Sequence, residues 1–158
     1  MEHTSSPVLY AAVGALSGAR TMAGPVLVCE RFGHAYVPQS AKPMRWLQSG
    51  KLMAVVRALS AMEMIMDKLP IAPRRTSAVA LVPRALAGAL AGAALSSVHR
   101  RGWALGSVLG AVGAIAGAFA AYRLRTWMDE RLHVPNMVAG LGEDALLFGL
   151  RRSVLARV

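Results

Sequence analysis

The sequence predicts an all-α integral membrane bundle, and three observations carry that reading. The 158 residues are 55% hydrophobic and only 16% charged, with a mean hydropathy of +0.44, more apolar surface than a small soluble domain buries. From Gly102 to Tyr122 there is no charged residue in twenty-one, and a helix needs roughly 20 to cross about 30 Å of hydrocarbon. The arginines gather at the edges of apolar segments, as Arg74-Arg75, Arg100-Arg101, Arg123 with Arg125, and Arg151-Arg152, where lipid headgroups hold them. The expectation is a single membrane domain over residues 1–158, built from four to five helices, some short or broken, with glycine-rich packing faces.

The first apolar segment runs from about Val8 to Cys29 and is interrupted at Ser17-Gly18-Ala19-Arg20-Thr21 and again at Gly24-Pro25. Proline removes a backbone donor and glycine loosens a helix, so a kinked or broken helix, or two short pieces, is expected here. Residues 30–50 mix Gly33, Pro38, Pro43, Arg31, Lys42, Arg45 and Trp46 and read as a long loop at the membrane interface. Lys51 to Leu69 is helical, with Arg57, Ser60, Glu63 and Asp67 forming one polar stripe on an otherwise apolar circumference. Pro70 and Pro73 end it.

Pro83 suits the first position of the next helix, which extends to about Val98 and carries Gly88, Gly92 and Ser96 on one face. The clear span follows. Its Gly106, Gly110, Gly113 and Gly117 fall within about 60° of one another at 100° per residue, a face on which another backbone approaches closely. Pro135-Asn136 opens a last helix to about Leu155, apolar apart from Glu143-Asp144 and the basic end at Arg151-Arg152. One short word recurs three times, from Gly14 to Ala19, Gly88 to Ala93 and Gly113 to Ala118. Such repeats can mark two halves around a site, but selection for close helix packing accounts for the same word in a chain rich in alanine and glycine.

The run from Gly14 to Pro25, the segment E-M-I-M-D-K-L-P from Glu63 to Pro70, Pro73-Arg74, Arg84 before Gly88, and the late Glu143-Asp144 resemble a family of small bacterial membrane proteins catalogued as domain of unknown function 4126. The resemblance covers about residues 8 to 150 and implies a membrane location, here a multi-pass protein of the bacterial inner membrane. It supplies no activity.

Candidate chemistry therefore rests on ionisable residues at membrane depth, which are costly there and face partners or water-filled cavities. The candidates are Glu63, Asp67, Glu143 and Asp144, with Arg20 beside the helix break. Should the two acidic helices meet, the carboxylates would need cations, protons, or Arg20 and Arg57 to offset them. Equally, each acid could pair with a nearby base and hold helices in register.

Other classes are disfavoured. The net charge of +10 is not arranged as a phosphate-binding patch, so no nucleic acid is expected. Met53, Met62, Met64 and Met66 surround their helix and read as apolar filler instead of a copper path. The four histidines lack zinc spacing, and the lone Cys29 has no partner for a disulfide or thiolate site. Neither a metal nor another cofactor is expected. With no phosphate loop, G-x-S-x-G elbow or H-E-x-x-H word, the chain reads as not an enzyme. Two readings remain: a channel or transporter passing an ion or proton through the acidic cluster, in a homo-oligomer within the lipid bilayer, or a non-catalytic accessory subunit of a larger membrane complex. The first is the stronger, because acids within apolar helices are costly and half-length helices recur in transporters. The Lys and Arg distribution selects no orientation.

Overall fold

The computed structural model describes residues 7–32, 49–66, 77–99, 101–132 and 136–155. Among these residues the chain forms six helices and no strand: α1 (Pro7–Ala19), α2 (Ala23–Phe32), α3 (Gly50–Met66), α4 (Ala78–Val98), α5 (Trp103–Leu132) and α6 (Asn136–Leu155). The all-α expectation holds, with six helices in place of four or five because the first apolar segment supplies two. α2 also takes residues 30–32 from the expected interfacial loop, of which residues 33–48 lie outside the described part.

The break between α1 and α2 falls at Arg20-Thr21-Met22, earlier than the Gly24-Pro25 pair. Pro25 stands in the first turn of α2, where the missing N–H leaves no helical bond unmade. Pro7 opens α1 for the same reason. The segment does not merely kink but reverses: a Cβ added at Gly24 would sit 2.9 Å from the carbonyl oxygen of Val13 and collide with Ser17 Oγ. In a continuous helix those positions would be about 16 Å apart along the axis. α1 and α2 are therefore a tight helical hairpin, and Gly24 is what lets its arms close.

α1, α4 and α5 form the centre. Added Cβ atoms at Gly88 and Gly92 of α4 would strike the carbonyl oxygens of Gly110 and Gly106 of α5, which sets these two helices antiparallel. Gly113 and Gly117 of α5 take the backbone at Ala11 and Ala15 of α1, and Gly14 and Gly18 of α1 take Gly110 and Ala114, so α1 runs parallel to α5. The three copies of the recurring word thus meet one another, and close backbone approach is the use to which they are put. At the far end Tyr10, fully buried, places its hydroxyl 3.4 Å from His99 Nδ1, tying the start of α1 to the end of α4. α2 packs on α1, α3 and α4, whereas α6 touches α1, α2 and α5 more sparingly.

Pro83 lies inside α4 instead of opening it. Ser77 begins the helix, its carbonyl accepting the N–H groups of Ala80 and Leu81 at 2.9 Å each. Pro83 therefore leaves the Val79 carbonyl without its helical donor, and in the same turn Arg84 donates from Nη1 to the Ala80 carbonyl at 3.1 Å.

The side chains are sorted by size in a particular sense. On α5 the glycines face inward while Leu105, Val108, Val112, Ile115, Phe119 and Tyr122, spaced by three and four, are exposed; on α4, Val79, Val82, Leu86 and Leu90 are exposed likewise. Water would favour the reverse arrangement. Two helices, Val79–Val98 and Trp103–Met128, are long and apolar enough to cross a membrane, and fewer than half of the residues in either are buried.

Among the described glycines of α6, Gly142 and Gly149 carry no packing duty. Gly149 is exposed, and an added Cβ there meets nothing within 4 Å. Gly149→Ala is expected to stabilise the folded chain by about 0.5–1 kcal/mol through helix propensity alone, read as a higher midpoint when the protein in mild detergent is unfolded by increasing sodium dodecyl sulfate.

Candidate functional site

Several polar residues of the apolar bundle meet at the hairpin and around it. At the tip, the chain leaves α1 with the N–H of Arg20 bonded to the Leu16 carbonyl and enters α2 with the N–H of Ala23 bonded to the Arg20 carbonyl. Two donors between them, the N–H groups of Thr21 and Met22, are taken by Glu63 of α3: Thr21 donates to Oε1 at 2.7 Å and Met22 to Oε2 at 3.1 Å. A carboxylate on consecutive N–H groups at the start of a helix satisfies donors that no intrahelical carbonyl reaches and opposes the positive end of the α2 dipole. This explains an ionisable residue at that position of α3 without invoking a transported ion.

The tip stands well inside the length of α5. A Cβ on Gly18 would meet the backbone at Ala114 and Ala118, about 16 to 22 Å along the helix from Trp103 at 1.5 Å per residue.

On the open side of the hairpin, Glu30 of α2 forms ion pairs with Arg151 of α6 and, at 3.7 Å, with Arg57 of α3. Arg57 is largely exposed, so its pair contributes at most about 1 kcal/mol. The Arg151 pair is the more enclosed and is a polar tie between α6 and the hairpin. Three members of the α3 stripe thus take different duties: Arg57 meets Glu30, Ser60 lines a cleft, and Glu63 holds the tip.

That cleft, about 260 Å³, is lined by Leu16 and Arg20 at the end of α1, Ala23 and Val26 of α2, Ser60 of α3, and Leu147, Phe148 and Arg151 of α6. Its charged lining is basic. Between α1, α5 and α6 lies a second, almost wholly apolar groove of about 370 Å³, bounded by Ala12, Ala15, Gly117, Ala120, Leu147 and Leu150 among others. Leu16 and Leu147 border both spaces.

The acidic cluster expected from the sequence is only partly visible. Glu63 and Arg20 lie at the hairpin tip. Asp67 falls outside the described residues, and the side chains of Glu143 and Asp144 do so as well, although both residues belong to α6 one turn ahead of Leu147 and Phe148. Among the described residues α3 and α6 do not pack on each other; Ser60 and Phe148 both line the cleft. The glycine faces do not lie open for a partner, because Gly88, Gly92, Gly106, Gly110, Gly113 and Gly117 are all occupied by helices of the same chain. Sequence reasoning passed over Glu30, whose signal is an acid ending the apolar run Val26-Leu27-Val28-Cys29. Cys29 itself is buried against Val26 and Val56.

Residues 8–156 match the family described as domain of unknown function (DUF4126), so the chain belongs to that family. No curated protein and no solved structure matches it.

Proposed function

Starting from membership of the DUF4126 family, we propose that the chain is a multi-pass membrane transporter or channel whose working element is the re-entrant hairpin α1–α2. The bilayer setting is supported by large apolar side chains turned outward on α4 and α5 and glycines turned inward, the sorting that lipid favours. It is supported too by the length of the two candidate spans. α1 and α2, about 20 and 15 Å long at 1.5 Å per residue, are each too short to cross.

The observation that carries the functional reading is the hairpin tip itself. Backbone that turns at membrane depth is tolerated where protein buries it or where it lines a polar cavity, and here Glu63 holds two tip N–H groups while Arg20 borders the cleft. Broken helices meeting a polar space are the usual construction of transport sites. Within that reading Glu63 is a positioning residue, and the ion or proton passes by the cleft edge at Arg20, Ser60 and Arg151. Asp67, Glu143 and Asp144 extend the proposed route beyond it.

A second reading, a non-catalytic accessory subunit of a larger membrane complex, draws on the same carboxylate: both Glu63 oxygens are engaged by backbone, as a purely structural acid requires. One experiment separates the two. The purified chain is reconstituted in liposomes, and currents evoked by steps in pH, potassium or phosphate are recorded on a solid-supported membrane. Transport predicts currents above protein-free liposomes that fall roughly tenfold in Arg20→Gln, the scale of one lost charge-assisted contact. Folded protein giving no current under any step would overturn the transport reading and favour the accessory one.

A further inference from the structure

The outward faces of α4 and α5 share one depth scale. Gly92 packs on Gly106 and Gly88 on Gly110, so each step back along α4 is a step forward along α5. Leu86 therefore stands level with about Val112, and the start of α4 at Ala78 with about Ala120. From Trp103 to Tyr122, α5 carries no charged residue. The rise over that interval is about 28 Å at 1.5 Å per residue, close to the roughly 30 Å of a hydrocarbon core.

Both ends of the interval are framed alike. Trp103, 68% exposed, follows the exposed Arg101; Tyr122, 45% exposed, precedes the exposed Arg123, with Trp127 exposed beyond it. Aromatic rings and arginines at the two edges of an apolar belt match the two headgroup layers of a bilayer. Inside the interval, exposure sorts by polarity. Val108, Val112 and Phe119 of α5 and Val82, Leu86 and Leu90 of α4 are exposed, whereas Arg84, the one charged residue of α4, is 7% exposed and donates within its own helix. Water would favour the opposite choice, and hydrocarbon favours this one.

The same scale fixes the hairpin. α1 runs parallel to α5 with Ala11 on Gly113 and Ala15 on Gly117, so it starts near the Trp103 edge and descends. α2 returns to that edge, because Phe32 at its end is buried in one cluster with Tyr10 and with Leu95 from the last turn of α4. Between these ends lies the tip, and Gly18 beside it packs on Ala114 and Ala118, about 16 to 22 Å below Trp103 and so past the middle of the interval.

We infer that the outer face of α4 and α5 is a lipid-contact surface covered by acyl chains, with its hydrocarbon limits at Trp103 and Tyr122, and that the hairpin enters this layer from the Trp103 side and turns past its midplane. The inference rests on the bilayer setting proposed above and supplies what that setting leaves open: the depth of the turn and the side on which it opens. It does not require transport. Glu63 accepts the Thr21 and Met22 N–H groups at a depth where lipid offers no acceptor.

The test uses the full chain, floated with phosphatidylcholine vesicles whose lipid carries bromine either near the glycerol or near the methyl end of the acyl chain. Trp46, Trp103 and Trp127 are replaced by phenylalanine to leave one tryptophan at a time. Trp103 and Trp127 are expected to lose more emission to the shallow bromines, and Val112→Trp, at an exposed position, to the deep ones. Should Val112→Trp not fold by circular dichroism, Leu86→Trp at the same depth on α4 decides. For sidedness, Arg31→Cys, Gly102→Cys and Glu130→Cys, all at exposed positions, are treated in intact cells with a membrane-impermeant maleimide. Cys29, the one native cysteine, is buried, so the parent is the blank. Arg31→Cys and Gly102→Cys are expected to react alike and Glu130→Cys oppositely. A Val112→Trp or Leu86→Trp quenched at neither depth would mean that a second copy or another protein covers the face, and would overturn the lipid surface. Trp103 quenched most by deep bromines would overturn the limits, and Arg31→Cys sorting with Glu130→Cys would overturn the entry side. Protein that does not float would overturn the bilayer reading and this inference with it, whereas the expected depths in a chain that carries no current would overturn transport alone.

Discussion

Gly110→Val is expected to destabilise the folded chain by about 3 kcal/mol or more, beyond the usual range for an overpacked core. Gly110 is the residue on which three helices converge. A Cβ there would collide with the Gly88 carbonyl oxygen, lie 2.9 Å from the Gly88 carbonyl carbon and 3.2 Å from Gly92 Cα, while Gly14 of α1 presses on the Gly110 carbonyl from the other side. The obstructing atoms are backbone, so no rotamer change relieves the clash; α4 would have to move away from α5, opening the contacts around Gly88, Gly92 and Gly106 together. Gly102 is the control, since a Cβ there meets nothing within 4 Å, and Gly102→Ala should be close to neutral. Midpoints of sodium dodecyl sulfate unfolding in mild detergent, followed by circular dichroism, measure both. A Gly110→Val protein as stable as the parent would mean that α4 and α5 do not pack in this register.

That central contact was the part of the fold most open to sequence reading. Small residues at three- and four-residue spacing put a flat face on α4 and α5, and a face of that kind is useful only against another backbone. What the spacing does not contain is the identity of the partner. The same four glycines of α5 suit a second copy of the chain or a larger complex as well as they suit α1 and α4, and only the folded chain shows Ala11 and Ala15 already on Gly113 and Gly117. The hairpin was half legible for a similar reason. Proline and glycine announce a break, but whether the chain kinks or returns depends on a contact eleven residues apart, Gly24 on Val13, that no local pattern encodes. Pro83 misled because its preference for a first helical turn is a preference and not a requirement; Ser77 offers an earlier start, and the cost is one helical bond.

The polar site was legible in its residues and not in its roles. A carboxylate in an apolar helix signals that something must compensate it, which is why Glu63 stood out in the sequence. The compensating groups are main-chain donors of Thr21 and Met22, forty-one and more residues away, and a backbone N–H leaves no mark in the sequence. Glu30 went unnoticed because it sits where an apolar run gives way to a loop-like composition, so its charge needed no explanation until α2 proved to extend through Phe32.

Glu63→Ala is expected to cost about 2–4 kcal/mol, since two donors at the hairpin tip lose a charged acceptor together and each unsatisfied, partly buried donor costs about 1–3 kcal/mol. The effect should concentrate at the tip: amide exchange at residues 20–24 should accelerate well before exchange in α4 or α5. Conservative variants separate holding the tip from carrying charge. Glu63→Gln retains one acceptor oxygen but turns an amide group toward the second N–H, so it should recover only part of the loss. Glu63→Asp keeps the charge and both oxygens on a side chain one methylene shorter, and it should hold the tip only if α3 moves closer. If Glu63→Gln folds as stably as the parent yet silences the liposome currents, the carboxylate takes part in conduction as more than a positioning group. If stability and current instead fall in proportion across Ala, Gln and Asp, the carboxylate acts through the shape of the hairpin, and the cleft at Arg20 is where the permeating species is met.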